Sequence, residues 1–243
     1  MTTKIGGISL LCLFMSLKMN VFAQQDLATK ALLQQDWACL KCFADSNAKV
    51  PPPAPDENRV VFMGNSITIG WLNLDPGFFE GKPYLDRGVS GQTTSQMLIR
   101  FRPDVVDLKP KVVVILAGTN DIAGNTGYTS NETIVGNIVS MAELAKSNGI
   151  QVVISSILPA YDYPWRPGMD PLHRIPQVNA LLKAYAESHG MTYLDYFSTM
   201  VDERGGLKQE LTHDGVHPTK DGYLVMRPLA EKAIENALQM QTK

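Results

Sequence analysis

Three short runs of consecutive apolar, largely β-branched residues, spaced between helical patterns, constrain this chain of 243 residues more than any other feature. They are Arg59-Val60-Val61-Phe62-Met63, Lys111-Val112-Val113-Val114-Ile115-Leu116 and Gln151-Val152-Val153-Ile154-Ser155. A strand with one wet face alternates apolar and polar residues. A strand covered on both faces does not, and continuous runs of this kind suit a parallel sheet held between helical layers. Thr192-Tyr193-Leu194-Asp195 and the stretch from Tyr84 to Val89 read as further strands. Thr129 and Glu132 predict a capping box, ahead of Ile134, Ile138, Met141 and Ala145 at helical spacing, with Asn148-Gly149 as the stop. Ile175, Val178, Leu181, Leu182 and Tyr185 make a second apolar face stopped at Gly190, and Tyr223 to Leu238 a last helix distorted at Pro228. The alternation predicts an α/β chain, a three-layer α/β/α sandwich around a parallel sheet. Such sheets bind ligands beyond the carboxyl ends of their strands. The segments to inspect are therefore the loops after Met63, Val89, Leu116 and Ile154, and the turn before the last helix.

Composition narrows the partners. The chain has 22 basic against 24 acidic residues, and no Lys/Arg run, so nucleic acid is not expected as a partner. Residues 1–23 read as a signal peptide: Lys4 gives a positive start, Ile5 to Met15 is mostly apolar, and Val21-Phe22-Ala23 resembles a cleavage site. The apolar run is shorter than the roughly 20 residues a bilayer span needs. Cys12 follows two leucines, so no lipid anchor is read, and no later stretch suits a membrane span. The expectation is a secreted or periplasmic protein. Residues 24–58 are expected to form an outer helix, Asp26 to Asp45, and a stiff link through Pro51-Pro52-Pro53-Ala54-Pro55. Cys39 and Cys42 read as small packed residues, a local disulfide being the lesser reading; a metal site would need about four ligands. Residues 59–243 make the main domain.

Four segments carry chemistry. Gly64-Asn65-Ser66-Ile67-Thr68 follows the first run, and a Ser on a tight strand-to-helix turn can expose its hydroxyl near a helix N-terminus. It can equally be a helix cap. Gly88-Val89-Ser90-Gly91-Gln92-Thr93-Thr94 offers a Gly whose backbone can approach a ligand, or a simple turn. In Gly118-Thr119-Asn120-Asp121, the Asn side chain supplies amide donors without charge, or makes an Asx turn. His213-Asp214-Gly215-Val216-His217-Pro218 places a carboxylate three residues before an imidazole, so Asp214 can orient His217 toward a hydroxyl. His213 as base, or a metal held by His213, Asp214 and His217, are competing readings. His173 reads as a loop residue, His189 as an exposed helix end and Trp71 as core.

Taken in this order, the four segments resemble the SGNH hydrolases, also called the GDSL esterase/lipase family. Gly64-Asn65-Ser66-Ile67 matches the first block, Gly91 the second, Gly118 to Asp121 the third and Asp214 to His217 the last, so that the resemblance spans 59–240. It implies a flavodoxin-like fold and a carboxylic ester hydrolase that uses no cofactor and no metal. It implies Ser66 as nucleophile, His217 as base, Asp214 as its orienting carboxylate, and Gly91, Asn120 and the Ser66 N–H as the oxyanion hole. Asn65 and Ile67 depart from the family's Asp and Leu. The resemblance runs closest to short-acyl esterases, carbohydrate acetylesterases and the platelet-activating-factor acetylhydrolase-like group. With export, it leads us to expect an acetyl ester on carbohydrate, a small molecule or an oligosaccharide, as substrate. A lipid esterase and a catalytically silent carbohydrate-binding relative are the alternatives. Tyr161, Tyr163 and Trp165, in a Pro-rich segment after the third run, are candidate substrate contacts, or aromatics buried within their own loop.

Overall fold

β1 (Val60–Gly64), β2 (Tyr84–Gly88), β3 (Val112–Leu116), β4 (Gln151–Ser155) and β5 (Thr192–Leu194) form a parallel sheet in the order β2-β1-β3-β4-β5. The structure, a computed structural model, describes residues 35–240. The expected signal peptide at 1–23 lies outside the described residues, as does the first part of the expected helix over 26–45. The chain divides into two units, Met1–Trp37 and Ala38–Lys243, and everything below belongs to the second.

Helices cover both faces of the sheet: α2 (Ser66–Leu74), α3 (Thr94–Asp104), α5 (Asn131–Ser147), α6 (Pro171–Ser188) and α8 (Lys220–Met240), with short α1 (Ala44–Asn47), α4 (Thr119–Ile122) and α7 (Phe197–Met200) in the connections. The strands bury alternate residues in two cores. Val61, Met63, Val113, Ile115, Val152 and Ile154 meet Phe101 of α3, Ile138 of α5 and Val178 of α6. Val60, Phe62, Val112 and Val114 meet Trp71 of α2 and Tyr223 and Met226 of α8. Strands buried on both sides need no polar alternation, which is why the sequence lacks it. Trp71 lies in this second core, stacked on Phe78 and Tyr223.

Several local expectations change. In the described part of the expected 26–45 helix, turns replace helix until α1, and Cys39 takes a left-handed φ of 59° that a helix interior does not allow. Cys39 and Cys42 are disulfide-bonded, with Cα atoms 5.2 Å apart, rather than simply packed. The cap of α5 is Ser130, one residue later than expected, whose hydroxyl accepts the Thr133 N–H at 3.2 Å, while the Thr129 carbonyl accepts from Arg174. Leu181 lies on the outer side of α6, 45% exposed. His173 sits in the first turn of α6, not in a loop. α8 runs on through Pro228.

The chain leaves β1 toward β2 on one side, while β3 pairs on the other. That reversal opens the crevice in which doubly wound sheets place ligands. Gly64, Gly88 and Leu116 are in register, so the three loops that follow start from one edge.

Candidate active site

α2 begins directly after β1. Asn65 is its N-cap, buried, with Oδ1 accepting the Ile67 N–H at 3.0 Å. Ser66 is thus the first helical residue. Its N–H has no carbonyl a turn earlier to donate to, and it lies at the positive end of the helix. The close fit of β2 against this turn requires glycine at 88. A Cβ there would stand 2.3 Å from the Ile69 nitrogen and 2.8 Å from the Asn65 carbonyl.

The segment from Thr212 to Pro218 folds back on itself ahead of α8. The Thr212 hydroxyl donates to the His217 carbonyl at 2.8 Å and accepts the Gly215 N–H at 3.0 Å. Asp214 Oδ1 accepts the backbone N–H groups of Val216 and His217, at 3.0 and 2.8 Å. Its Oδ2 lies 2.7 Å from His217 Nδ1, and His217 Nε2 lies 2.9 Å from Ser66 Oγ. Ser66 and His217, 151 residues apart, are thereby in hydrogen-bond contact. Partial burial works against the Asp214 charge, but the bonds from His217 and Val216 outweigh it and hold the carboxyl below its ordinary range. His213 is exposed and meets His217 only through its backbone N–H. It is therefore not the group that reaches Ser66.

The two other loops are tied to each other. Gly91 has φ +77°, a left-handed conformation suited to glycine, and its carbonyl accepts Asn125 Nδ2 at 3.0 Å. Asn120 sits buried in α4 and spends one amide hydrogen on the Gln92 carbonyl at 2.9 Å, leaving a second. Asp121, beside it, accepts the Thr94 N–H and the Thr94 hydroxyl, the latter at 2.6 Å, and so locks α4 onto the start of α3. Burial raises the Asp121 pKa to about 6 against the pull of those bonds.

The Pro-rich loop reaches the same place, with its aromatics sorted differently from expectation. Tyr163 is fully buried, its hydroxyl 2.9 Å from Thr119 Oγ1, so its ring supports the loop from within at the wall of the cavity beside it. Trp165 packs on it and stands 5.8 Å, ring to ring, from His217 while 44% exposed. Tyr161 is also exposed and carries the Arg204 guanidinium 5.7 Å over its ring. Arg166 pins the loop to the Gly124 carbonyl just beyond α4. Tyr161, Pro164, Pro167, Arg204 and Gly206 line a cavity of about 260 Å³ that reaches Asp214. A larger cavity of about 600 Å³ lies along the outer edge of β5, lined by Thr192, Tyr193 and Asp195 with Lys183 and Glu187 of α6 and Asn236 and Gln239 of α8, and none of the four segments contributes to it.

The spacing of the motifs gives no sign of Arg100 or Gln92, which are buried behind the 91–92 loop. The available signal is a cation in α3 on the same helical face as Met97 and Phe101, where an apolar residue is the norm.

The GDSL-like Lipase/Acylhydrolase family matches residues 62–225. A GDSL-like lipase of Bacteroides thetaiotaomicron VPI-5482, solved by crystallography, is 47% identical, with a TM-score of 0.81 over 83% of this chain and 100% of that one. Platelet-activating factor acetylhydrolase IB subunit alpha2 of Homo sapiens is 29% identical over 183 residues, 72% of this chain and 76% of its own. Lipoprotein YqeF of Bacillus subtilis (strain 168) is 36% identical over 93 residues, so that the match spans 38% of that relative's length.

Proposed function

Since the chain belongs to the GDSL-like lipase/acylhydrolase family and is a carboxylic ester hydrolase, we propose that Ser66, His217 and Asp214 carry an acyl-enzyme mechanism, and that its substrate is a short acyl ester, chiefly acetyl, of a carbohydrate. The observation that carries the mechanism is the run of contacts from Asp214 Oδ2 to His217 Nδ1, 2.7 Å, and from His217 Nε2 to Ser66 Oγ, 2.9 Å. The carboxylate keeps the proton on Nδ1, so Nε2 is free to accept the Ser66 proton. Ser66 Oγ attacks the acyl carbon. The oxyanion is received by the N–H groups of Ser66 and Gly91 and by the second Asn120 amide hydrogen, all neutral donors fixed before reaction. His217 returns the proton to the leaving alcohol. It then draws a proton from water, which attacks the acyl-enzyme and frees the acid.

The leaving alcohol must lie on the imidazole side, because His217 protonates it. On that side stand the exposed face of Trp165 and, beyond Asp214, the cavity with the Tyr161 ring, Arg204 and Asp162. An aromatic face with polar groups at its rim suits a sugar ring, whose two faces are apolar and whose edge is hydroxyls. Export, proposed from residues 1–23, fits a substrate outside the cytoplasm.

The test measures acetate release from acetylated xylo- and cello-oligosaccharides beside p-nitrophenyl esters of two, four, eight and twelve carbons. Acetyl esters are expected to turn over fastest, and the oligosaccharides with higher kcat/KM than p-nitrophenyl acetate. Ser66→Ala should abolish turnover of both. Retention of near wild-type turnover in Ser66→Ala would refute the mechanism. Preference for acetylated glycerophospholipid over every sugar ester would refute the substrate.

A further inference from the structure

Residues 38–47 precede the family match, which starts at 62, yet they touch the back of the candidate oxyanion site. We propose that this segment braces that site through two positioning residues, Gln92 and Arg100, an inference that rests on Asn120 and Gly91 being the oxyanion donors.

Arg100 is wholly buried in α3. A buried guanidinium is tolerated only where its N–H groups meet acceptors, and with four of its five N–H groups bonded to acceptors on different segments it is held in essentially one pose. Here Nε donates to Gln92 Oε1 at 2.5 Å and Nη1 to Asp104 Oδ2 at 2.9 Å. Nη2 donates to the Gly64 and Arg87 carbonyls, at 3.1 and 2.9 Å. Those carbonyls close β1 and β2, the strands that lead to Ser66 and to Gly91. One cation therefore fixes the roots of both loops and, through Gln92, the loop itself.

Gln92 passes the constraint on in two directions. Its backbone carbonyl holds the Asn120 amide, which sets how the remaining amide hydrogen is aimed. Its side-chain amide donates to the Ala38 carbonyl at 2.9 Å. Ala38 opens the turn closed by Cys39 and Cys42. From the far end of the segment, Asn47 donates to Asp104 Oδ1 at 2.7 Å and accepts from Arg87 Nε at 2.9 Å. The Phe43 ring lies 4.9 Å from the Arg87 guanidinium and 5.9 Å from that of Arg100. The segment thus closes over a buried charge cluster and supplies the acceptor that holds the Gln92 amide. Oxyanion stabilisation depends on donors aligned before the charge forms, so loosening Gln92 acts on the transition state more than on ground-state binding.

The test compares Gln92→Met, Gln92→Glu and Asn120→Ala with wild type, using p-nitrophenyl acetate well below each melting midpoint. Gln92→Met keeps the length of the side chain and removes both its links. Gln92→Glu keeps the acceptor for Arg100 and replaces the donor to Ala38 by a carboxylate oxygen that repels the Ala38 carbonyl, so it is also the variant that retains the buried cation's partner if Gln92→Met folds poorly. We expect kcat to fall about tenfold in Gln92→Met and about threefold in Gln92→Glu, with KM within twofold of wild type, because misaligned donors cost rate rather than binding. Asn120→Ala should lose about 10²–10³ in kcat. Wild-type kcat in Gln92→Glu would overturn the role of the 38–47 segment, and wild-type kcat in Gln92→Met the role of Gln92. Wild-type kcat in Asn120→Ala would instead overturn the oxyanion assignment beneath both.

Discussion

Replacing Asp214 by Asn should leave the turn intact and disable the base. Asp214 Oδ1 accepts two backbone N–H groups, from Val216 and His217, while Oδ2 faces His217 Nδ1 at 2.7 Å. An asparagine of the same shape keeps both backbone bonds only if its carbonyl oxygen takes the Oδ1 place. Its NH₂ then faces Nδ1, which must become an acceptor, and the ring proton moves to Nε2. His217 would donate to Ser66 where it should accept from it. The productive tautomer is recovered by flipping the amide, which sets NH₂ against two N–H groups. Each bond left unmade costs about 1–3 kcal/mol, so the flipped state lies about 2–6 kcal/mol higher, equivalent to roughly 30-fold to 10⁴-fold in rate. The Asp214 side chain is 36% exposed, and water can relieve part of that cost. The middle of the range, a loss of about 10²–10³ in kcat, is therefore expected. KM should stay within about threefold, since Asp214 acts on the imidazole and not on the substrate. The assay is steady-state hydrolysis of p-nitrophenyl acetate at pH 8, with thermal melting to show that the fold persists. A folded Asp214→Asn enzyme within tenfold of wild-type kcat would show that the carboxylate does not set the tautomer.

Two further predictions address the alcohol side of the cleft and the buried carboxylates. Trp165→Ala should raise KM for acetylated xylo-oligosaccharides about tenfold, on the scale of roughly 1–3 kcal/mol for a lost aromatic contact, and leave p-nitrophenyl acetate within about threefold; equal effects on both substrates would mean that Trp165 supports the loop and does not meet the sugar. Burial raises the pKa of both Asp86 and Asp121 to about 6, above the ordinary Asp value of 3.8. A folded-state pKa above the unfolded one gives stability that is complete below the unfolded value and lost as pH rises through the folded value. Urea unfolding should therefore show more stability at pH 5 than at pH 7.5, by about 1 kcal/mol for each of the two groups, and a flat or reversed profile would contradict this.

Legibility in the sequence followed whether a residue's partners are local or distant. β1, β3 and β4 declare themselves because burial on both faces demands unbroken apolar runs. β2 is fainter, since it carries Asp86 and Arg87, both buried: the partner of Arg87 is Asn47, far along the chain, while the charges of Arg87 and Arg100 offset only part of the burial of Asp86. The 26–45 helix fails at Cys39, because a helical pattern does not reveal a disulfide-closed turn with a positive φ. In the Pro-rich loop the sequence offers Tyr161, Tyr163 and Trp165 as equals. Only the packing of Tyr163 against Thr119 separates the supporting ring from the two exposed ones. Asp214 and His217 are legible because they lie three residues apart in one turn, whereas the partners of Arg100 lie between 4 and 36 residues away.

Asn65, the departure from the family motif, is best judged by what its side chain does. Its oxygen accepts the Ile67 N–H at 3.0 Å and caps α2. Asn and Asp cap helices about equally well, since both present the same oxygen. They differ in charge. A buried aspartate at this N-cap would place a negative charge one residue from Ser66, beside the point where the proposed oxyanion forms, and would offset the positive end of the helix there. Asparagine keeps the cap and leaves that field in place. The substitution therefore gives no reason to read the chain as a silent relative: it preserves the turn that presents Ser66 and removes a charge that works against the intermediate.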